Sequence, residues 1–259
     1  MAYRVQVVPK KKRRVMQQGQ TRRTPNGLHV IESCLTCSLV KERIFCDFPK
    51  SVFAEFDEIS SPSSFLKDAI LFVEGQEPRG VFVICSGRVK LSTSSADGKS
   101  IIVRVAEAGE VVGLPATISG KPHELTAEAL DPLQVNFIPR GAFLQFLRRR
   151  GEAAVKIAEI LNQIYQATLS EVRYLALSAS TAEKLARFLL DQPASRAHDN
   201  GEIRSTLTLT HKEIAEMIGA SRETVTRLFA SFKRERLVEV RGSTLIIANK
   251  AGLERLLDV

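Results

Sequence analysis

The chain has 259 residues, with 37 Lys and Arg against 29 Asp and Glu and 44% hydrophobic residues, a length that suits one large domain or two ordinary ones. No uninterrupted apolar run approaches the roughly 18 residues a membrane span needs, and Met1 leads into a basic, polar stretch without an apolar signal core, so a cytoplasmic protein with neither membrane helix nor secretory signal is expected. The charge is uneven. Eight basic residues and no acid lie within residues 1–30, so the net charge of +8 is a property of that tail and does not by itself make the folded part a nucleic-acid binder.

Residues 1–30 are expected to form a basic, disordered tail. Its run Pro9-Lys-Lys-Lys-Arg-Arg-Val15 resembles a nuclear import signal, and reads equally as a solvated tail or a translated leader, since Met16 offers a second start. Residues 31–150 are expected to hold a cysteine-containing segment and a β-roll. Between 65 and 140 the turn pairs Glu74-Gly75, Ser86-Gly87, Asp97-Gly98, Ala108-Gly109, Ser119-Gly120 and Asp131-Pro132 recur every 11 or 12 positions. The β-branched runs between them predict strands at Ile70–Val73, Val81–Cys85, Val89–Ser92, Ile101–Val105 and Leu133–Ile138, an antiparallel sandwich or roll of the kind that often encloses a small ligand.

From Glu152 to about Ser178 there is no Gly or Pro, and Ile157, Leu161, Ile164, Thr168, Val172 and Leu175 recur at steps of three and four. This predicts one long helix over 151–178. Its apolar stripe outruns any core a small roll could offer. Pairing with a second chain would bury it, the alternative being a helix packed on its own domain.

Residues 180–259 change character. A helix is predicted over Thr181–Leu190, and Gln192–Glu202 reads as a surface loop. Thr210 stands as an N-cap with Glu213 as its capping-box partner, His211–Ile218 follow as a helix stopped at Gly219, and Ser221 caps the next helix, Arg222 to about Glu235. Leu237–Val240 and Thr244–Ile247, joined through Arg241-Gly242-Ser243, predict a hairpin. Helix, tight turn, helix and hairpin make a winged helix-turn-helix. The fold class expected is therefore α+β: an N-terminal antiparallel β-roll sensor, a long dimerisation helix and a C-terminal winged helix-turn-helix.

On the second helix of that motif Val225, Leu228, Phe229 and Phe232 form an apolar side, whereas Arg222, Glu223, Thr226 and Arg227 cluster at its N-terminal end. Arg donates two hydrogen bonds to guanine O6 and N7 and Glu accepts one from cytosine N4, which suits a G·C-containing site; the bland alternative is a polar helix face with an incidental Arg-Glu-Arg pattern. Thr210, Ser221, Lys233 and Arg234 are the expected phosphate contacts, which position and do not specify.

The segment from Leu209 to Arg227, and above all Ser221-Arg-Glu-Thr-Val-Thr-Arg227, resembles the helix-turn-helix of the bacterial Crp/Fnr regulators. Ser86-Gly87-Arg88-Val89-Lys90 resembles a β-roll turn of that family, and Ala108-Gly109-Glu110-Val111-Val112-Gly113 the segment leading into its effector pocket, so the likeness spans roughly residues 45–250. The resemblance implies a homodimer on a two-fold symmetric operator in the bacterial cytoplasm, activating or repressing transcription, with double-stranded DNA and RNA polymerase as partners, and no membrane. No nucleophile elbow, Walker loop or zinc-hydrolase motif is present and the four His residues are scattered, so no enzyme is expected. A ligand-binding module without DNA activity is the competing class, against which the Arg222, Glu223 and Arg227 face argues.

Cyclic AMP binding in the family depends on an acidic residue after the Gly-Glu turn and an Arg-Ser pair at the cyclic phosphate. By that resemblance Leu114 replaces the ribose acceptor and Glu124 stands where the phosphate needs a cation, so cyclic AMP is not the expected ligand. Cys34, Cys37 and Cys46 are bunched before the roll, and Cys85 lies within it. A disulfide is not expected in a reducing cytoplasm. The arrangement resembles the Fnr branch, whose N-terminal cysteines hold an iron–sulfur cluster, and implies a [4Fe–4S] site for which Cys85 has to be proposed as a substitute fourth ligand. Two departures are visible: eight residues separate Cys37 from Cys46, and Asn136 stands at the family's internal cysteine position. Zinc on Cys34, Cys37, Cys46 and either Cys85 or His29, and free thiols, are the other readings.

Overall fold

The structure is a computed structural model that describes residues 22–23, 29–30, 50–177, 180–192, 194–197 and 203–257. The chain divides into two compact units, and the main boundary falls between Tyr165 and Gln166, inside one long helix. Strands β1 (Arg22–Arg23) and β2 (His29–Val30) pair antiparallel. The rest of the tail expected over residues 1–30 lies outside the described residues.

The first unit continues with α1 (Lys50–Ile59), β3 (Ser61–Phe65), β4 (Ile70–Phe72), β5 (Gly80–Ser86), β6 (Val89–Ser94), β7 (Ser100–Ala106), β8 (Val111–Val112), α2 (Leu114–Ser119), β9 (Thr126–Ala129), β10 (Leu133–Pro139), α3 (Arg140–Arg149) and the first half of α4 (Gly151–Leu177), while Gly98–Ile102, which include the start of β7, and the helix from Gln166 onward group with the second unit. The strands form two four-stranded sheets, of order β3-β10-β5-β8 and β4-β9-β6-β7, the antiparallel roll that the punctuation predicted. Strand β5 shows why its sequence is apolar throughout. Val81 and Val83 enter a core shared with the helices, while Ile84, with Phe82 packed beside it, faces the second core of the roll, so both faces of the strand are covered. At the β5–β6 turn Gly87 has φ +83°, and a Cβ there would stand 2.7 Å from the Pro132 carbonyl oxygen; only Gly accepts that conformation and approach. Arg88 then forms a two-pronged ion pair with Asp131, at 2.7 and 3.0 Å, and Lys90 meets its cross-strand partner Glu128 at 3.1 Å.

Helices α1, α2 and α3 were not expected. Val52, Phe53 and Phe56 of α1, Phe143 and Phe146 of α3, and Ala153, Ile157 and Ile160 of α4 pack into one cluster on Val81 and Val83. Phe56 meets Phe146 edge-on at 5.9 Å between ring centroids, and Glu55 holds Arg150 at 2.8 Å. Each large side chain so buried contributes about 1.5–3 kcal/mol. This cluster corrects the reading of α4 as a seam for a second chain along its whole length. Ile157 is 3% exposed in its own unit, and Leu161 and Ile164 are half-buried against the same cluster, because α1 and α3 supply an apolar face that the sequence reading had not anticipated. Further along, Thr168 is exposed, Tyr165 and Val172 are 61% and 57% exposed, and the side chain of Leu175 lies outside the described residues.

The second unit comprises α5 (Thr181–Leu190), β11 (Ala194–Ala197), β12 (Ile203–Thr206), α6 (His211–Ile218), α7 (Arg222–Arg234), β13 (Val238–Arg241), β14 (Thr244–Ile247) and α8 (Lys250–Glu254). The expected hairpin is part of a four-stranded sheet, β11-β12-β14-β13. The segment Gln192–Glu202, expected as a plain loop, contains β11, which pairs antiparallel with β12. Among the described residues no helix is long and apolar enough to cross a membrane.

Candidate functional site

Helices α6 and α7 are set by local chemistry that is readable in the sequence. The capping box is formed: the Glu213 amide donates to Thr210 Oγ1 at 3.2 Å and the Thr210 amide to Glu213 Oε2 at 2.6 Å. Gly219 closes α6 in the left-handed conformation, φ +66°, and the Thr224 amide donates to Ser221 Oγ at 3.1 Å to start α7. Ile214, Ala215 and Ile218 of α6 and Val225, Phe229 and Phe232 of α7 then pack with Leu185, Leu189, Leu245 and Ile247.

Burying that side of α7 leaves Arg222, Glu223, Thr226 and Arg227 exposed together at its first two turns, as expected from the sequence. Among the described residues the side chains of Arg222 and Glu223 make no hydrogen bond or ion pair, so both are free for a ligand. Arg227 Nη2 donates weakly to Thr224 Oγ1 at 3.4 Å. Lys233 and Arg234 are exposed too, but at the opposite end of the helix, roughly 16 Å along its axis. They complement the helix dipole there and do not join the cluster. Thr210 and Ser221 are exposed, with their hydroxyls engaged as caps.

Two residues that sequence reading did not assign complete the surface. Thr224 links Ser221, at 3.0 Å between hydroxyls, to Arg227. His211, the first residue of α6, stacks on Phe229 at 4.8 Å between centroids and 6° between planes, with Nδ1 2.9 Å from Thr226 Oγ1. Fifteen positions separate His211 from Thr226, on different helices, so no periodicity could pair them.

In the first unit a cavity of about 250 Å³ is lined by residues that include Phe65, Phe72, Phe82, Phe137, Arg79 and His123. His123 is 5% exposed, stacked on Phe72 at 3.8 Å and 12°, and anchored through its backbone to Gly75 and Gln76 at 2.8 and 2.9 Å. The cavity is thus aromatic, with a few polar groups among its walls, the composition of a small-molecule site.

Comparison with known proteins matches residues 62–150 to the cyclic nucleotide-binding domain and residues 183–256 to the Crp-like helix-turn-helix domain, together more than half of the chain. The chain belongs to the Crp/Fnr superfamily of transcriptional regulators. It is 29% identical over 236 residues to the fumarate and nitrate reduction regulatory protein of Vibrio cholerae, covering 87% of this chain and 90% of that protein. To the CRP-like cAMP-activated global transcriptional regulator of Mycobacterium tuberculosis it is 25% identical over 219 residues, 84% of this chain and 97% of that protein. The structure of FixK2 from Bradyrhizobium japonicum shares the fold, with a TM-score of 0.67 at 22% identity over 76% of this chain and 97% of that one.

Neither Leu114 nor Glu124, the positions expected to depart from the nucleotide-binding pattern, lines the aromatic cavity. Leu114 is fully buried in the helix-facing core, and Glu124 is exposed. Asn136, where the resemblance placed a cysteine, is 2% exposed and in register with Val83, two residues before Cys85. Cys85 itself is 6% exposed, its thiol 3.7 Å from the Val83 carbonyl oxygen. Cys34, Cys37, Cys46 and His29's ring lie outside what is described, and among the described residues no three His, Cys, Asp or Glu side chains gather as a metal site.

Burial pushes the pKa of His123 below its ordinary 6.5, which gives the roll a pH dependence of definite sign. The folded roll keeps the ring neutral while the unfolded chain takes up a proton as pH falls through 6.5, so this contribution is complete above that pH and is lost below it. Melting temperature followed by circular dichroism should therefore drop from about pH 7.5 to 5, and His123→Phe should flatten part of that slope. An identical slope in the variant would show that the ring does not control it.

Proposed function

We propose that this regulator is a homodimer that reads a palindromic operator with the first two turns of α7, through residues 31–150 as sensor, 151–178 as dimer helix and 180–259 as reader. The observation that carries the reading is the joint exposure of Arg222, Glu223, Thr226 and Arg227 opposite the buried Val225, Phe229 and Phe232, with Arg222 and Glu223 uncommitted. Two such helices about 34 Å apart would enter successive major grooves on one face of the DNA. Thr210 and Ser221 at the helix starts, and Lys233 and Arg234 beyond, would meet phosphates. RNA polymerase is the partner through which a bound dimer would act, in the cytoplasm.

Random-site selection with the full chain should return a palindrome with half-sites related to TGTGA, and binding should weaken steeply with salt. Arg222→Ala should then cost about 1–3 kcal/mol of discrimination at one base pair per half-site. A uniform loss at all sequences would make Arg222 a phosphate contact instead.

The dimer reading is supported by Tyr165 and Val172, large apolar side chains left exposed seven residues apart on α4, two turns that return to one face. Placing a carboxylate at each, Tyr165→Glu with Val172→Glu, would desolvate charge in a shared seam at a cost of several kcal/mol. Light scattering should report a monomer for this variant; a dimer of unchanged strength would locate the contact elsewhere.

We further propose a redox input at Cys34, Cys37 and Cys46, supported by their bunching before the roll and by the likeness to the iron–sulfur branch; when bound, a cluster supplies oxygen sensitivity. Cys85 as fourth ligand requires its buried strand position to open. Chain purified without air should be brown, and lose both colour and operator affinity in air. A colourless, iron-free preparation after reconstitution would transfer the input to the aromatic cavity beside His123, whose volume suits a small effector.

A further inference from the structure

We infer that the aromatic cavity of the first unit is a binding site for a small neutral ring compound carrying one hydroxyl or carbonyl, which His123 and Ser63 recognise. The site is separate from the positions at which the resemblance implies nucleotide contacts, since neither Leu114 nor Glu124 lines it. It depends neither on the cysteines nor on operator reading.

Strand alternation builds the walls. Ser63 of β3 pairs with Val135 of β10, two residues from Phe137, and Phe137 pairs with Phe82 of β5, so Ser63, Phe65, Phe82 and Phe137 stand on one face of the sheet. Phe82 is the hub. It meets Phe137, Phe72 and Phe65 at 4.9, 6.0 and 6.4 Å between ring centroids, and rings braced against one another in this way hold open a space of about 250 Å³. An apolar cavity of about 150 Å³ holds a benzene ring, so this one has room for a ring with a small substituent.

Two polar side chains more than nine-tenths buried line that space and have nothing in the protein to bind. His123 is 5% and Ser63 7% exposed, and among the described residues neither the imidazole nitrogens nor the Ser63 hydroxyl make a hydrogen bond. Buried polar groups are as a rule paired, so these two await a partner that enters the cavity. The imidazole is held in place: its backbone is bound to Gly75 and Gln76, its face lies on Phe72, and Gly113 approaches so closely that a Cβ there would stand 3.3 Å from His123 Cε1. Burial lowers its pKa, so at neutral pH the ring is uncharged, with one N–H to donate and one lone pair to accept. Charge is offered only by Glu77 and Arg79, which are exposed and opposite in sign. An ionised ligand would give up its water for walls without a counter-charge, whereas a neutral hydroxyl or carbonyl exchanges water for His123 and Ser63.

The test titrates the full chain, without DNA or iron, against one ring in four forms, toluene, benzyl alcohol, benzoate and benzylammonium, by calorimetry. Benzyl alcohol should bind at one site per chain and toluene about fivefold more weakly, as loss of one neutral hydrogen bond implies, while the two ions should not bind measurably. His123→Phe, which keeps a ring on Phe72 but has no nitrogen, should bring the ratio of benzyl alcohol to toluene affinity close to one, and Ser63→Ala should lower it. Because the readout is a ratio between two ligands on one preparation, a partial loss of folded protein leaves it unmoved. Equal binding of toluene and benzyl alcohol, a preference for either ion, a ratio that survives in both variants, or no binding of any of the four overturns the proposal. None of these outcomes bears on operator selection or on the colour of protein prepared without air, so this inference and those readings fail separately.

Discussion

An apolar stripe along α4 that is longer than the core beside it is the constraint on which the arrangement of this chain depends. Ala153, Ile157 and Ile160 are covered by α1, α3 and β5, and Leu161 and Ile164 by half. Beyond them the helix runs on to Leu177 with Tyr165 and Val172 exposed. A helix does not carry its apolar stripe past the end of its own core unless the remaining stripe has another use. Local propensity cannot supply one, since an isolated helical extension is marginal in water. The uncovered half is the physical reason to expect a second chain, and the covered half explains why mutating Ile157 or Leu161 would confuse association with folding.

A similar division of labour governs the DNA-reading unit. The caps that start α6 and α7 are worth about 1 kcal/mol each, and they use the hydroxyls of Thr210 and Ser221 to satisfy backbone amides. The apolar side of α7 fixes its rotation, so that the opposite side is free to carry polar chemistry with no structural duty. That is why Arg222 and Glu223 stay uncommitted, while Thr226, bound to both its own helix and His211, does not. Exposure alone therefore does not rank these four residues; the number of internal partners each oxygen or nitrogen already has does.

What could be read from sequence follows from how far each signal reaches. Turn glycines, β-branched runs, the Thr210 and Glu213 box and the Ser221 cap are local, and the strands and helices they mark stand within a residue or two of where they were expected. Strand β3, whose sequence is Ser-Pro-Ser-Ser-Phe, carries almost no strand signal. It exists because β10 has an open side, and Pro62 is tolerated because β3 is an edge. Helices α1 and α3 bury only a few aromatics each, too short a pattern to separate from the neighbouring strands, yet they decide the fate of half of α4. The exposed cluster of Arg222, Glu223, Thr226 and Arg227 was legible because it sits on one helix with its cap. The contact of His211 with Thr226 was not, because it joins two helices through tertiary packing.

The sensor follows the same logic in reverse, since there the informative residues are those that lack partners of the expected kind. Leu114 lies in the core and Glu124 in solvent, so at the positions where the resemblance implies a ribose acceptor and a phosphate-binding cation stand an apolar group and an anion. The fold of a nucleotide-binding domain is thus kept by Gly87, the Arg88 and Asp131 pair and the two-faced β5, none of which needs the nucleotide. Whatever signal the roll receives can shift the association of α4 only by the difference in free energy it makes between the associated and separate chains. The surface through which that difference can act is the helix-facing core, because α4 is packed there at one end and left open at the other. A ligand or cofactor that tightens α1 and α3 on Ile157 and Ile160 would act on that core directly, whereas one in the aromatic cavity would reach it through β5 and β10, which carry Phe82 and Phe137 to the cavity and Val81, Val83 and Ile138 to the core.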